Sequence, residues 1–515
     1  MNRSLLDALH LRPGEFGRVV WLGLIGVAYA AAIQLGDDIA QSIFITRISA
    51  ERLPRIFLFK ALLNIAAAAM YIPITRGRSP AKVWRIAIAI YVAAIVGGRA
   101  AVADGGELTA YVLYVAHECA WTILTLHWAV FILDVFDASQ ARRLFPLLFT
   151  FARLGGVLAG ALLSSLAGPV GAVNLLYVAA GLAAIAGLLS LLDFSPHFGM
   201  HAKATSPDEP PDETAVAQEA EAEAEERGPP RNLFASWRYA LESPLVRAIA
   251  MSTAAMVIIR YGLRVVSLGE ISQSLGGHED MVAEFLGMFG AIANVGSALL
   301  GVFVVPRLLK YFGVGAVNLV YAGATLIASS LLLALPLLAT ATVGRFVDQQ
   351  FKGAIKTPLS ALFYGAEPAE RRAPARAFIF GAVIPAAAIV TFLMFEFAAA
   401  FASNFAIISA IATAIAVLFI AACAVQNRRW RARQVDLLRT ELDRDTLGAD
   451  ETLLARARSA LEAESSAEAS RIDLLAAGLA SRNSRIRAVA EEVLSETIAR
   501  RSAHQIAHDL RAHTT

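Results

Sequence analysis

The chain is 515 residues long, 57% hydrophobic and only 17% charged, with a formal net charge of +2. A soluble domain of this size carries about a quarter charged residues, so the composition excludes an ordinary water-soluble enzyme, and the near-zero charge gives no support to nucleic-acid binding. The two cysteines, Cys119 and Cys423, lie in apolar runs and make neither a disulfide framework nor a metal cluster.

Before the first apolar run, Met1 to Arg18 is mixed polar and reads as no cleavable signal peptide, so the first hydrophobic helix is expected to serve as the insertion signal. A membrane span needs about 20 mostly apolar residues. Such runs fall at roughly 17–35, 55–76, 83–103, 108–134, 144–167 and 170–193, and resume at roughly 245–268, 283–305, 314–336, 339–363, 375–401 and 403–425. Small residues such as Gly155, Gly156 and Gly160 in the fifth run allow close helix approach in lipid. The expected domains are an N-terminal six-helix bundle (1–194), an acidic linker (195–240), a C-terminal six-helix bundle (241–427) and a helical tail (428–515). The linker, rich in Pro, Ala and Glu, cannot bury a core.

Lys and Arg between spans set the orientation. Arg12 and Arg18, Arg76 to Arg85, Arg142 and Arg143, Arg307 and Lys310, Arg371 to Arg376 and Arg428 to Arg433 all fall on one side. Both termini are therefore expected in the cytoplasm, with the chain an integral inner-membrane protein. Arg47, Arg52 and Arg55 are the exception. A weak repeat, Asp137-Ala-Ser-Gln-Ala-Arg142-Arg143 against Glu367-Pro-Ala-Glu370-Arg371-Arg372, supports two equivalent halves. Six plus six spans around a central loop is the layout of the major facilitator fold, with a binding site near the midplane between halves.

A charge in mid-span costs at least about 2.5–3.5 kcal/mol unless it faces a partner or a polar cavity. Arg153 lies inside the fifth span; Arg260 and Arg264 share one face of the seventh; Arg345, Asp348, Lys352 and Lys356 form one stripe of the tenth. Glu118 sits mid-way through the fourth beside His117, Glu396 late in the eleventh, Asp37 and Asp38 close the first, and Glu270 closes the seventh. Each could be an intramembrane ion pair, and Arg264 with Glu270 or Arg345 with Asp348 are local candidates. The balance still leans cationic, which suits phosphates or carboxylates better than sugars or lipophilic solutes. No phosphate loop, zinc-protease motif or nucleophile with its base is present, so no catalysis, no cofactor and no resident metal are expected.

Four stretches carry a family resemblance: Gly36-Asp37-Asp38-Ile39 with Phe57-Leu-Phe-Lys60; His117-Glu118 through Ala141-Arg142-Arg143-Leu144-Phe145-Pro146 to Gly155-Gly156; Tyr261-Gly262-Leu263-Arg264 to Glu270; and Ile355-Lys356-Thr357-Pro358 with Ala375-Arg376-Ala377. They resemble the ATP/ADP translocases of plastids and obligate intracellular bacteria, a major-facilitator-like group, over about residues 1–425 at low identity. The resemblance implies nucleotide exchange that needs two glutamates, matched by Glu118 and Glu270, and two lysines, one matched by Lys356 or Arg376. Asp37 stands where the family's first lysine is expected, with Asp38 matching its aspartate, and this reversal counts against strict ATP/ADP exchange.

In the tail, residues 469–499 read as two amphipathic helices around Ser481-Arg-Asn-Ser-Arg485, similar to one HEAT-type unit. One unit cannot bury its own apolar face, so it is either a packed cap or a docking site for a protein partner or a second copy. The function expected is a secondary carrier of nucleotides or related small organic anions by alternating access in lipid. Arg153, Arg260, Arg264, Lys352, Lys356 and Arg376 would hold the anion, and Asp37, Asp38, Glu118 and Glu270 would gate or couple. Two alternatives stand beside it: a membrane-anchored scaffold or sensor acting through the linker and tail, and a proton-coupled carrier of another solute with Glu118 or Asp134 titrating.

Overall fold

The computed structural model describes residues 15–75, 78–102, 106–136, 138–192, 233–401 and 405–444. Twelve helices cross back and forth. The first six are α1 (Phe16–Arg47), α2 (Leu53–Thr75), α3 (Pro80–Val102), α4 (Glu107–Val135), α5 (Ala138–Val170) and α6 (Leu175–Leu189). The second six are α7 (Pro244–Ser274), α8 (Glu279–Leu299, running on through a π-turn), α9 (Val305–Ala334), α10 (338–365), α11 (369–401) and α12 (Phe405–Arg444). Ten helices among the described residues are long and apolar enough to cross a membrane. In α10, Arg345, Asp348, Lys352 and Lys356 interrupt the apolar run. Many large apolar side chains, among them Leu108, Ile292, Phe380 and Phe397, are fully or largely exposed; a water-soluble monomer does not show such a surface, and here lipid covers it. The chain is thus an all-α membrane protein of two six-helix bundles.

Where boundaries differ from the sequence expectation, burial explains the difference. The apolar run of α1 stops at Gly36, yet the helix continues to Arg47, so Asp37 and Asp38 lie inside it rather than at its end. They are 0% and 2% exposed, and the helix itself supplies their first partners. Gln41 Nε2 donates to Asp37 Oδ2 at 2.5 Å, and Gln34 Nε2 donates to Asp38 Oδ2 at 2.9 Å, both one turn away. Likewise α7 runs past Glu270 to Ser274. Between the eighth and ninth passes the break falls at Gly313, whose φ of 75° is a left-handed conformation that favours glycine.

Part of the expected linker is ordered. Leu233–Glu242 forms a short helix whose Trp237 packs edge-on against Phe378 of α11 at 6.0 Å. Its Glu242 meets Arg371 at 3.5 Å. Ser243 then caps α7, accepting from Leu245 N and Val246 N, with Pro244 in the first turn. The rest of the linker and the HEAT-like region lie outside the described residues.

The halves meet along two seams, α5 against α8 and α2 against α11. The first is a backbone contact: a Cβ on Gly160 would sit 2.4 Å from Gly287 O, and one on Gly287 would sit 2.7 Å from Leu163 Cβ. Gly155 does the same for α1, where a Cβ would meet Val27 O at 2.4 Å. Gly160→Leu is therefore expected to destabilise the protein by about 3 kcal/mol or more, since overpacking against backbone cannot relax by a rotamer change. Gly181→Leu, where nothing lies within 4 Å, should stay within about 0.5 kcal/mol; thermal unfolding of both variants in detergent checks the contrast.

Candidate functional site

The charged side chains of the membrane interior converge between the bundles. Glu118 of α4, 1% exposed, accepts from Lys60 Nζ of α2 in its own half. From the other half, Arg264 of α7 places Nη2 2.8 Å from Glu118 Oε1 and 3.7 Å from Asp37 Oδ1. The same guanidinium lies over the Tyr114 ring, 5.8 Å from its centroid. At the residue after Asp37, Arg345 of α10 reaches across to Asp38 Oδ1 at 3.3 Å. Arg260 pairs instead inside its own half, with Asp348 Oδ1 at 2.7 Å. The local pairs Arg264–Glu270 and Arg345–Asp348 expected from the sequence do not form; the arginines that would make them bridge the two halves.

Three interior cations, Arg153, Lys352 and Lys356, have no carboxylate partner among the described residues. Arg153 of α5 crosses to α10 and donates from Nη1 to Gln350 Oε1 at 2.9 Å, with its Nη2 2.8 Å from where a Cβ would stand on Gly353. The ammonium of Lys352, between those two contacts on α10, has neither hydrogen bond nor ion pair among the described residues; Arg260, Asp348, Lys60 and Arg264 are the charges that act on it. Arg153 and Lys352 are both half-buried. The backbone here is a ten-residue π-helical stretch, Val347–Lys356, a conformation that recurs at functional sites.

The remaining sequence candidates stand apart from this cluster. Lys356 is 4% exposed and donates to Asn318 Oδ1 at 2.9 Å, inside the second bundle. The faces of Phe363 and Phe419 lie 5.7 Å from its ammonium. Arg376 is exposed at the opening of α11, its guanidinium 5.5 Å from the Tyr364 ring. Glu270 accepts from Ser274 Oγ at 3.3 Å near the end of α7. Among the described residues no three His, Cys, Asp or Glu side chains are grouped to hold a metal ion.

Several contributors were not legible from sequence. Gln350 has no charge to mark it. Phe57 of α2 and Tyr261 of α7 stack face to face across the halves, centroids 3.8 Å apart and 9° from parallel. At the end where α1 finishes and α8 begins, Arg47 Nε pairs with Glu279 at 2.7 Å, Arg55 Nε with Glu396 at 2.6 Å, and Ala172 N donates to Asp280 Oδ1 at 2.7 Å. All three join one half to the other. The exception in the Lys/Arg pattern was the available signal: Arg47, Arg52 and Arg55 each have a carboxylate, that of Arg52 being Glu107 at 3.1 Å.

No family model matches the sequence, and no curated protein matches it. Among solved structures, the chain is similar to a point mutant of the nucleoside transporter NupG, at 13% identity over 81% of this chain and 99% of that one, TM-score 0.54. It is also similar to a bacterial homologue of the iron transporter ferroportin in its inward-facing state, at 10% identity over 79% and 98%, TM-score 0.55. A third similar structure is a POT family transporter in complex with a thioalcohol-conjugated peptide, at 10% identity over 78% and 95%, TM-score 0.55. At these identities the likeness is one of fold: the chain shares its arrangement of two six-helix bundles with these solved structures.

Proposed function

We propose that the protein is a secondary transporter that moves a small organic anion, a nucleotide or a related phosphorylated or carboxylated solute, by alternating access between its two bundles. The observation that carries this reading is the pair Arg153 and Lys352. One comes from each bundle, both lie in the membrane interior, and neither is matched by a carboxylate. A positive charge left unmatched there is costly and is relieved by an anionic ligand, bidentately at the guanidinium and as a point charge at the ammonium. Arg260, Arg264 and Lys60 are the cations that act on Lys352, and they are already engaged by Asp348 and Glu118. Within this reading Lys356 holds the second bundle together, and Arg376 stands exposed beside the Tyr364 ring.

The Lys/Arg distribution supports cytoplasmic termini in an inner membrane, which directs the end bridged by Arg47–Glu279 and Arg55–Glu396 outwards. An anion arriving at Arg153 and Lys352 also competes with Glu118 for Arg264. Glu118 keeps Lys60 when that happens, so the Glu118–Arg264 bond is released without leaving Glu118 unpaired. Solved carriers of this fold include ones named for nucleosides and for peptides. The surplus of cations is what selects an anionic solute here.

A thermal-stability screen against nucleotides, phosphorylated metabolites and carboxylates is expected to find stabilisation of about 2.7 kcal/mol at a hundredfold excess over Kd. Arg153→Ala and Lys352→Ala should each weaken that binding by about ten- to a hundredfold, a charge-assisted contact being worth about 1.5–3 kcal/mol. Both should fold normally, because neither strands an acid; anion binding or transport at full strength in both would sink the assignment. Arg345→Ala, by contrast, leaves buried Asp38 with the neutral Gln34 amide in place of a cation and should cost about 3–5 kcal/mol of stability.

The outward lock makes a separate prediction. With Cys119 and Cys423 replaced by Ser, Ala50→Cys places a thiol in a position only 3% exposed beside the Arg47 and Arg55 pairs. Combining Arg47→Gln with Arg55→Gln should raise its labelling rate by a membrane-impermeant thiol reagent several-fold. An unchanged rate would mean the two pairs do not hold that end shut.

A further inference from the structure

Charge does not explain the stacked rings of Phe57 and Tyr261. Aromatic pairs settle at centroid separations of about 4.5–7 Å, offset or edge-on. These two lie at 3.8 Å and 9°, a closer and more nearly parallel arrangement. Each ring belongs to a different bundle, so the contact exists only while the bundles are together. Phe57 is buried and Tyr261 half-buried. Each ring also has a cation one turn away on its own helix: Lys60 three residues after Phe57 on α2, and Arg264 three residues after Tyr261 on α7. Arg260 is adjacent to Tyr261 on the side of Asp348 and Lys352.

We infer that Phe57 and Tyr261 form a ring clamp that selects an anion carrying a planar aromatic group, the ring entering between them while the anionic group lies against Arg153 and Lys352. This inference rests on the anion-carrier reading and narrows it. The inserted ring would replace one face-to-face contact by two, and any heteroaromatic ring has a face to offer. Admitting it separates the two helices by about 3.5 Å, the thickness of a ring at van der Waals contact. The clamp thereby ties occupancy to the spacing of the bundles: empty, the rings close on each other; loaded, they are held one ring apart. The same geometry gives little to an anion without a ring, which cannot fill the gap and must leave the two side chains stacked.

The test uses the full chain in detergent and compares two probes that share an anionic group, phenyl phosphate and inorganic phosphate, with adenosine diphosphate and pyrophosphate as a second matched pair. Binding is read from ligand-dependent thermal stabilisation. The native protein is expected to bind each ring-bearing probe at least tenfold more tightly than its ring-free counterpart. Tyr261→Leu should abolish that preference while leaving affinity for the ring-free probes unchanged, and Tyr261→Phe should preserve it. Phe57→Leu provides an independent variant should Tyr261→Leu fail to fold. Equal affinity of the native protein for ring-bearing and ring-free probes would overturn the clamp and leave the anion site standing, as would a ring preference that survives both Leu substitutions. Binding of no anion at all would overturn the clamp together with the carrier reading.

Discussion

The contact on which the rest depends is the one Glu118 makes with two cations, Lys60 from its own bundle and Arg264 from the other. In a low-dielectric interior a carboxylate must be paired, and breaking a buried pair by removing one member costs about 3–5 kcal/mol. Glu118 is protected against that cost, because losing Arg264 leaves it Lys60. Asp38 is not protected in the same way: without Arg345 it retains only the neutral amide of Gln34. The two cross-bundle bonds are therefore unequal. On the proposed carrier reading, Glu118–Arg264 would be the bond that exchanges partners and Asp38–Arg345 the one that stays. Nothing in the charges alone would separate these roles; the second partner does.

The two seams show a comparable division. Backbone fits backbone where α5 meets α8, through Gly160 and Gly287, with no side chain to rearrange. At the pseudo-equivalent seam of α2 and α11, Arg55 and Glu396 meet as a half-exposed ion pair, which contributes little and can part easily. A glycine contact tolerates a change of crossing angle because it has little to unlock, whereas a polar contact at a helix end marks one position along the motion. The α5–α8 seam thus suits an axis, and the α2–α11 seam a latch.

Most of the span pattern was legible because lipid imposes it. Every expected run became a helix whose core matched the reading, and the mid-span charges were recognisable from their cost. The failures have one cause: hydropathy measures how apolar a residue is, and carries no information on what it faces. Gly36-Asp37-Asp38 looked like the end of a span because a charged pair cannot meet lipid, yet here it meets Arg264 and Arg345. The same blindness suggested Glu270 for Arg264, although residues six apart do not share a helical face. It also left Arg47 and Arg55 as an anomaly of orientation, when their partners Glu279 and Glu396 lie 232 and 341 residues away in sequence. Phe57 and Tyr261 stood in the stretches that carry the family resemblance, but their contact gave no signal, and neither did Gln350, because an apolar ring or a single amide in a membrane helix is ordinary until its neighbour across the bundles is known.

Lys356 shows what a structural cation looks like in this protein, and the comparison decides how Arg153 and Lys352 should be read. Lys356 has no carboxylate either, but it is enclosed: an amide oxygen accepts from it and two aromatic faces bracket it. Such a cage compensates an ammonium within one bundle and leaves no room for a ligand. Lys352, one turn earlier on the same helix, has none of these contacts and stays half-buried. Arg153 has a single amide, and that amide belongs to the opposite bundle. If the purpose of these two charges were structural, the fold already contains the solution and applies it four residues away. Their incomplete coordination, with Arg260 and Lys60 adding positive potential at Lys352, is what the proposed anion would complete.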